Sequence, residues 1–228
     1  MGTLPPKAED PLPAKNTSRI EQSHQRSATK LEERRAELAR SALNTMARRG
    51  FANTSLRDIA KDSPYSHGVL HYYFSDKREL VAHCLTVFND TRSDFVAAMG
   101  SAELAVEDFR ASVAKELAEG VRENTNGYVV WYDVRSQRGI DGSVADTIRR
   151  IDRDRRAGGH LVTTRHAELA GAQLVYSADT SYALVDGLIE HAVHRHTTGD
   201  PDALTWLERE IVRFLVVSVG GTLSAVDG

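Results

Sequence analysis

SLRDIAKDSPYSHGVLHYYF, residues 55–74, divides into two short helices and a turn. Leu56, Ile59 and Ala60 recur at i, i+3 and i+4, the spacing of one helical face. Ser55 followed by Asp58 has the spacing of a capping box, in which hydroxyl and carboxylate satisfy unpaired backbone N–H groups at a helix start. Pro64, between Ser63 and Tyr65, interrupts the pattern, because proline in a helix interior loses a hydrogen bond and clashes with the preceding turn. Ser66 is placed to cap a second short helix whose Leu70 and Phe74 point toward a core. Gly68, Val69 and Tyr72 then lie on the opposite face, flanked by His71 and Tyr73. Two short helices, the second showing small and hydrogen-bonding residues outward, form a helix-turn-helix arrangement. A third helix starts at Ser75-Asp76-Lys77-Arg78-Glu79-Leu80 with two cations in its first turn. The helix dipole is positive there and favours acids, so Lys77 and Arg78 are predicted to meet an external anion such as a phosphate.

These residues resemble the DNA-binding segment of the TetR family of bacterial transcriptional regulators. The resemblance runs from Glu32 to about Arg92 and is carried by Thr54-Ser55, by the aromatic run Tyr72-Tyr73-Phe74 and by the following Lys77. Pro64 departs from the family pattern, which usually carries glycine there, and Tyr65 stands in place of a small aliphatic residue. Proline cannot take the positive φ that glycine supplies, so the turn is expected to differ locally.

Composition agrees with a soluble globular chain. Of 228 residues, 27% are charged and 41% hydrophobic, and no run approaches the ~20 apolar residues of a membrane span. Pro6 fills the position where a myristoylation signal needs Ser or Thr, and the N-terminal stretch has no apolar signal-peptide core. The single cysteine, Cys84, excludes a disulfide within the chain. A cytoplasmic location without membrane association follows as the expectation. The net charge of −3 is unevenly placed: residues 1–80 hold 14 Lys+Arg against 10 Asp+Glu, and the remainder 15 against 22. Positive potential therefore concentrates around the helix-turn-helix.

Residues 1–30, with four of the six prolines and no apolar periodicity, read as a flexible arm. A first helix is predicted from about Leu31 to Arg49, with Leu38, Ala39, Ala42, Leu43 and Met46 inward, Arg34, Arg35 and Arg40 outward, and Gly50 past its end. Phe51 is expected to close the small core. A long helix from about Asp76 to Met99 carries Cys84 on its apolar stripe and leads out of the head. Beyond Gly100 the pattern stays helical: Val106–Val121, the very apolar Tyr128–Val134, Val144–Ala170 with a possible break at Gly158-Gly159, Tyr182–Val193, and a last helix opened by Asp200-Pro201. Gly220–Gly228 reads as a loose tail. The predicted architecture is all-α, with about nine helices on the family resemblance. Its expected parts are the arm, a helix-turn-helix domain at 32–92 with its motif at 55–74, and a C-terminal bundle at 100–219 for effector binding and dimerisation.

The resemblance implies that the reading helix enters the major groove of operator DNA. Ser66, His67, Gly68, Val69, His71, Tyr72 and Tyr73 then stand near bases or phosphates, Arg57 reaches a base edge, and Ser55 and Lys77 hold backbone phosphates. It also implies a small-molecule effector in the bundle. Trp131, Tyr132, Asp133 and Arg135 are candidates to orient one, with Phe88, Phe109, Tyr128 and Tyr182 as walls; the same polar tips could instead satisfy one another in the core. The last two helices are expected to form a homodimer seam through Gly187, Trp206, Ile211, Phe214 and Leu215. His191 and His194 share a helix face that could seat a metal, with His196 nearby; histidines at an exposed helix end are more often surface residues, and neither a metal nor a cofactor is expected.

The resulting expectation is a ligand-responsive DNA-binding regulator, a repressor released by its effector. A DNA-binding dimer without an effector is the alternative. A helical enzyme is disfavoured, because the sequence contains no nucleophile elbow, glycine-rich phosphate loop, His-Glu metal motif or paired catalytic carboxylates.

Overall fold

Ten helices follow one another in the computed structural model, which describes residues 14–222 apart from 92 and 141. Among the described residues there is no strand. The head consists of α1 (Ala14–Arg49), α2 (Leu56–Lys61), α3 (His67–Tyr73) and the start of α4 (Lys77–Asp90). The bundle holds α5 (Ser93–Gly100), α6 (Val106–Glu123), α7 (Thr125–Ser136), α8 (Gly142–Leu169), α9 (Ala178–Thr197) and α10 (Ala203–Ser218).

The head folds around the stripe that the sequence puts on α1. Leu38, Ala39, Ala42, Leu43 and Met46 are buried and meet Leu56, Ile59, Leu70, Phe74, Leu80 and Val81. Cys84 joins this core as a small apolar residue, its Sγ donating to the Ala39 carbonyl at 3.4 Å, and burial pushes its thiol well above the usual range. Gly50, at φ +81°, ends α1 by returning its N–H to the Met46 carbonyl at 2.8 Å, a conformation that L side chains adopt only with strain.

Several boundaries differ from expectation. Helix α1 begins at Ala14, so the part of the expected arm in residues 14–30 is helical; residues 1–13 lie outside the described residues. The apolar stripe starts only at Leu38, and Gln25, Arg26, Thr29 and Lys30 are exposed, so hydrophobic periodicity could not reveal this extension. The long helix expected from Asp76 to Met99 is broken after Asp90. Thr91 Oγ1 donates to the Phe88 carbonyl at 2.9 Å and Ser93 Oγ to the Asp90 carbonyl at 3.1 Å, hydroxyl bonds that compete with the helical ladder. In the other direction, α8 runs unbroken through Gly158-Gly159. A Cβ on Gly158 would lie 3.1 Å from Val96 Cγ1, so the glycine lets α5 approach α8 closely. Helix α10 begins at Ala203, past Pro201, because the Asp200 carboxylate holds the Asp202 N–H at 2.9 Å and Arg195 at 2.7 Å. The expected tail lies outside the described residues from 223 onward, while Gly221 N–H caps α10 by donating to the Val216 carbonyl at 3.0 Å.

The bundle core centres on α7, where Tyr128, Val130, Trp131 and Val134 are buried against α1, α4, α6 and α9. Full burial of a large apolar side chain such as Trp131 or Phe109 stabilises by roughly 1.5–3 kcal/mol. Phe88, on α4, lies directly over Gly127 of α7, where a Cβ would come within 2.4 Å of the ring. Helices α6, α9 and α10 pack together and against α8, while α5 lies across α8.

Candidate nucleic-acid interface and effector cavity

The helix-turn-helix is built by local hydrogen bonds. The Asp58 N–H donates to Ser55 Oγ at 3.2 Å, and the Ser55 N–H returns to Asp58 Oδ2 at 2.9 Å; the Ser55 hydroxyl, donating to the same oxygen at 2.5 Å, and then this N–H hold the Asp58 carboxyl below its usual range. In the turn, no non-glycine residue adopts a positive φ. Ser63 closes the turn: its N–H donates to the Ala60 carbonyl at 3.4 Å and its Oγ accepts the Tyr65 N–H at 3.3 Å. Tyr65, the other departure, lies under the Arg34 guanidinium at 4.7 Å. Asp62 ties the turn to the end of α1 through Arg49 at 2.9 Å and Arg48 at 3.4 Å. Ser66 then caps α3 by accepting the Val69 N–H at 3.3 Å.

Leu70 and Phe74 anchor α3, leaving Gly68, His71 and Tyr72 exposed and His67, Val69 and Tyr73 half-buried. Tyr72 is 80% exposed, which is costly for a large aromatic residue unless something covers it. The His67 and His71 rings meet edge-on at 4.3 Å, as do those of Tyr72 and Tyr73 at 4.9 Å. Ser55, Arg57 and Ser66 are exposed beside them. The residues expected to face DNA, other than Lys77, therefore reach the surface of one head.

Lys77 does not stand outward. Its ammonium nitrogen lies over the Phe51 ring at 4.2 Å and donates to the Phe51 carbonyl, while burial lowers its pKa against the opposing charge of Asp133. The positive end of the α4 dipole is met instead by acids: Asp76 caps it, accepting the Glu79 N–H at 2.8 Å, and Glu79 accepts the Ser75 N–H at 2.8 Å. Arg35, expected outward, is turned in as well. It donates to the Tyr73 carbonyl at 2.8 Å and to Glu79 at 3.1 Å, with its guanidinium over Phe74 at 4.5 Å.

The bundle holds a partly open cavity of about 500 Å³ between α4–α5, α6, α7, α8, α9 and α10, a size suited to a small organic ligand. Tyr128 and Tyr182 line it, as the sequence suggested. Phe88, Phe109 and Trp131 are buried but do not line it. Tyr132 and Arg135 act one step behind the wall: the Tyr132 hydroxyl donates to Asp186 Oδ1 at 3.1 Å and Arg135 Nη1 to Asp186 Oδ2 at 2.6 Å, and Asp186 lines the cavity. Burial pushes the Tyr132 phenol well up, as it does that of Tyr182, which donates to Asp152 at 2.6 Å. Asp133 points elsewhere, toward the head.

Ile211, Phe214 and Leu215 are corrected. Assigned to the dimer seam, they are buried and line the cavity. An apolar i, i+3, i+4 stripe looks the same whether it faces a partner or a subunit's own interior. Gly187 is exposed, with nothing near the place of a Cβ, and Trp206 is half-buried between His191 at 5.0 Å and Arg195 at 5.0 Å. Among the described residues no group of three His, Cys, Asp or Glu is gathered for a metal. Sequence reasoning missed Val113, Leu117, Val162, Ser181 and Asp186 as cavity residues. Val113, Leu117 and Val162 carry the ordinary periodicity of core helices, and Ser181 and Asp186 are single polar residues of a helix, so nothing local marked them.

A tight helix-turn-helix with an exposed second helix, mounted on a helical bundle around a ligand-sized cavity, defines a DNA-binding regulator. Residues 38–84 match the profile of the bacterial regulatory proteins of the TetR family. The chain is 25% identical over 174 residues to the HTH-type transcriptional regulator PksA of Bacillus subtilis, spanning 71% of this chain and 80% of the relative. It is 27% identical over 172 residues to the HTH-type transcriptional regulator BetI of Agrobacterium fabrum, spanning 73% and 80%. The fold matches that of the Bacillus subtilis regulator FadR solved in complex with stearoyl-CoA, with a TM-score of 0.61 and 15% identity over 81% of this chain and 97% of that one. Among the described residues no helix is long and apolar enough to cross a membrane.

Proposed function

We propose that this regulator is a cytoplasmic homodimeric repressor that leaves its operator when a small molecule fills the bundle cavity, and that it catalyses no reaction. The observation that carries the DNA-binding part is the exposed face of α3 beside Arg57, held rigidly by the Ser55 and Ser66 caps. Two such heads, set about one helical turn (~34 Å) apart, would read a pseudo-palindromic site. Gly187 and Trp206, on the outer side of α9 and α10, supply the surface for the seam.

The effector part is supported by the cavity and by the ligand-bound FadR neighbour of the same fold. A ligand there would press on α4 and α8, shift the heads and weaken operator binding. By linkage, operator DNA must then weaken ligand binding by the same factor. The test is fluorescence anisotropy on DNA from upstream of the protein's own gene, against a scrambled duplex, at two salt concentrations. Selective binding that survives the higher salt supports the reading, because the unspecific component falls steeply with salt. Equal weak binding to every duplex, in this assay and in a genome-wide pull-down, overturns it.

A further inference from the structure

We infer that the cavity takes an electrically neutral, largely apolar molecule bearing a carbonyl or hydroxyl oxygen, and that Ser181 is the group that orients it. This rests on the reading of the cavity as the effector site.

Three of the four charged residues on the wall are already matched. Asp186 receives Arg135 at 2.6 Å and the Tyr132 hydroxyl at 3.1 Å. Arg155 donates to Asn89 Oδ1 at 3.0 Å, with its guanidinium over the Trp131 ring at 4.4 Å and the Phe88 ring at 5.0 Å. Asp154 is met by Arg153 at 3.2 Å and Arg150 at 3.8 Å, and Asp90 is exposed to solvent. The rest of the wall is chiefly Phe95, Val113, Leu117, Val162, Ile189 and Phe214. A carboxylate or ammonium moving from water into the apolar depth of this space would lose its hydration and would have to compete with the partners that Asp186, Arg155 and Asp154 already hold, a transfer that proteins avoid.

One hydroxyl on the wall lacks a match. Ser181 is 4% exposed, and its Oγ makes no hydrogen bond. Thr163, a second hydroxyl of the wall, donates to the Gly159 carbonyl at 3.0 Å and so differs from it. A buried hydroxyl left unsatisfied is destabilising, and a helical serine would ordinarily donate back to the carbonyl one turn earlier. A hydroxyl both donates and accepts, so a ligand carbonyl or alcohol oxygen satisfies it equally well. The chemical class that fits both observations is a neutral ketone, ester or alcohol on an apolar frame.

The experiment uses the full-length protein and the neutral fluorescent dye N-phenylnaphthylamine as reporter. Leu117→Trp, with Val113→Phe as a second blocking variant, fills the cavity; folding of each is checked by circular dichroism. Methyl decanoate, decanol, decanoate and decylammonium are then competed against the dye below their micelle-forming concentrations. The expected result is that the wild-type protein binds the dye and neither filled variant does, that the ester and alcohol displace it about tenfold better than either ion, and that Ser181→Ala weakens ester and alcohol about three- to tenfold, as loss of one neutral hydrogen bond requires, while dye binding is unchanged. Decanoate or decylammonium competing as well as decanol overturns the ligand class and leaves the cavity reading standing. Dye binding that is absent, or unaffected in both filled variants, overturns the cavity reading and this inference with it.

Discussion

Asp133 Oδ2 accepts the Phe51 N–H at 2.6 Å, joining α7 of the bundle to the loop that follows α1 in the head across 82 positions of sequence. The other carboxylate oxygen receives Gln137 Nε2 at 2.9 Å, which fixes the rotamer. Phe51 is held from the opposite side by Lys77, so one loop residue is gripped by both α4 and α7. The neighbours of Asp133 on α7, Tyr132 and Arg135, hold Asp186 in the cavity wall. A single short helix therefore touches both the cavity wall and the head.

Removing this link should uncouple the two. Asp133→Ala is expected to lower stability by about 1–3 kcal/mol, since it leaves a half-buried N–H without its acceptor. It should also shrink the ligand-induced loss of operator affinity, because the head no longer follows α7. Asp133→Asn keeps one acceptor and should recover part of both. Urea unfolding gives the first quantity, and operator anisotropy with and without ligand gives the second. Unchanged coupling in Asp133→Ala would show that the signal does not pass through this bond.

Lys77 and Arg57 should separate cleanly. Lys77 packs on Phe51 within the head, so Lys77→Ala is expected to lower the urea midpoint while leaving the salt dependence of operator binding unchanged. Lys77→Met, which fills the same half-buried space with an unbranched apolar side chain but cannot donate to the Phe51 carbonyl, should recover part of the loss. Arg57 is exposed on α2, so Arg57→Ala should leave stability within about 0.5 kcal/mol of wild type and weaken operator binding by about 1–3 kcal/mol. A reduced salt slope in Lys77→Ala would place its ammonium on a phosphate after all.

Gly68 offers a test in which stability and binding move in opposite directions. It lies inside α3, and the nearest atom to an added Cβ is Ser66 Oγ at 3.9 Å. Gly68→Ala should therefore stabilise the free protein by about 0.5–1 kcal/mol through helix propensity. If α3 enters the groove, the new methyl group meets the DNA and operator affinity falls, by about tenfold. Gly127→Ala is the contrasting glycine. Its Cβ would meet the Phe88 ring at 2.4 Å, and overpacking should cost about 1–3 kcal/mol. Thermal unfolding and anisotropy on both variants check the pair.

What the sequence disclosed, and what it hid, divides by the range of the interaction. The Ser55–Asp58 box, the Gly50 cap and the Leu38–Met46 stripe depend on neighbours within a few positions, so their spacing was enough to locate them. Lys77 and Arg35 were misread because what turns them inward lies far along the chain, at Phe51 for one and at Tyr73 and Glu79 for the other. The cavity was least legible. Leu117 and Phe214 leave space where Leu38 and Met46 fill it, yet all four share the same apolar periodicity. Only the three-dimensional offset between helices distinguishes a wall from a core.

His166 makes the bundle sensitive to acid. The residue is fully buried on α8, its ring stacked on Phe109 at 6.0 Å, and its Nε2 accepts from Arg110 Nε at 2.9 Å. An imidazole accepting through Nε2 is neutral, with its proton on Nδ1, and Nδ1 has no partner. Burial, and then the Arg110 charge, press its pKa down to about 4. In the unfolded chain a histidine titrates near ~6.5, so between these values unfolding takes up a proton that the native state refuses. Stability from this group is fully present above pH ~6.5 and is lost as pH falls toward 4, with a slope approaching ~1.4 kcal/mol per pH unit. His83 on α4 is lowered as well, by burial and by Arg35, and would contribute in the same direction. Urea unfolding of wild type, His166→Gln and His83→Gln across this range separates the two. His166→Gln keeps an acceptor for Arg110 but cannot titrate, so its stability should vary less with pH than that of the wild type. If the profiles of wild type and His166→Gln run parallel, His166 is not the group that senses acid.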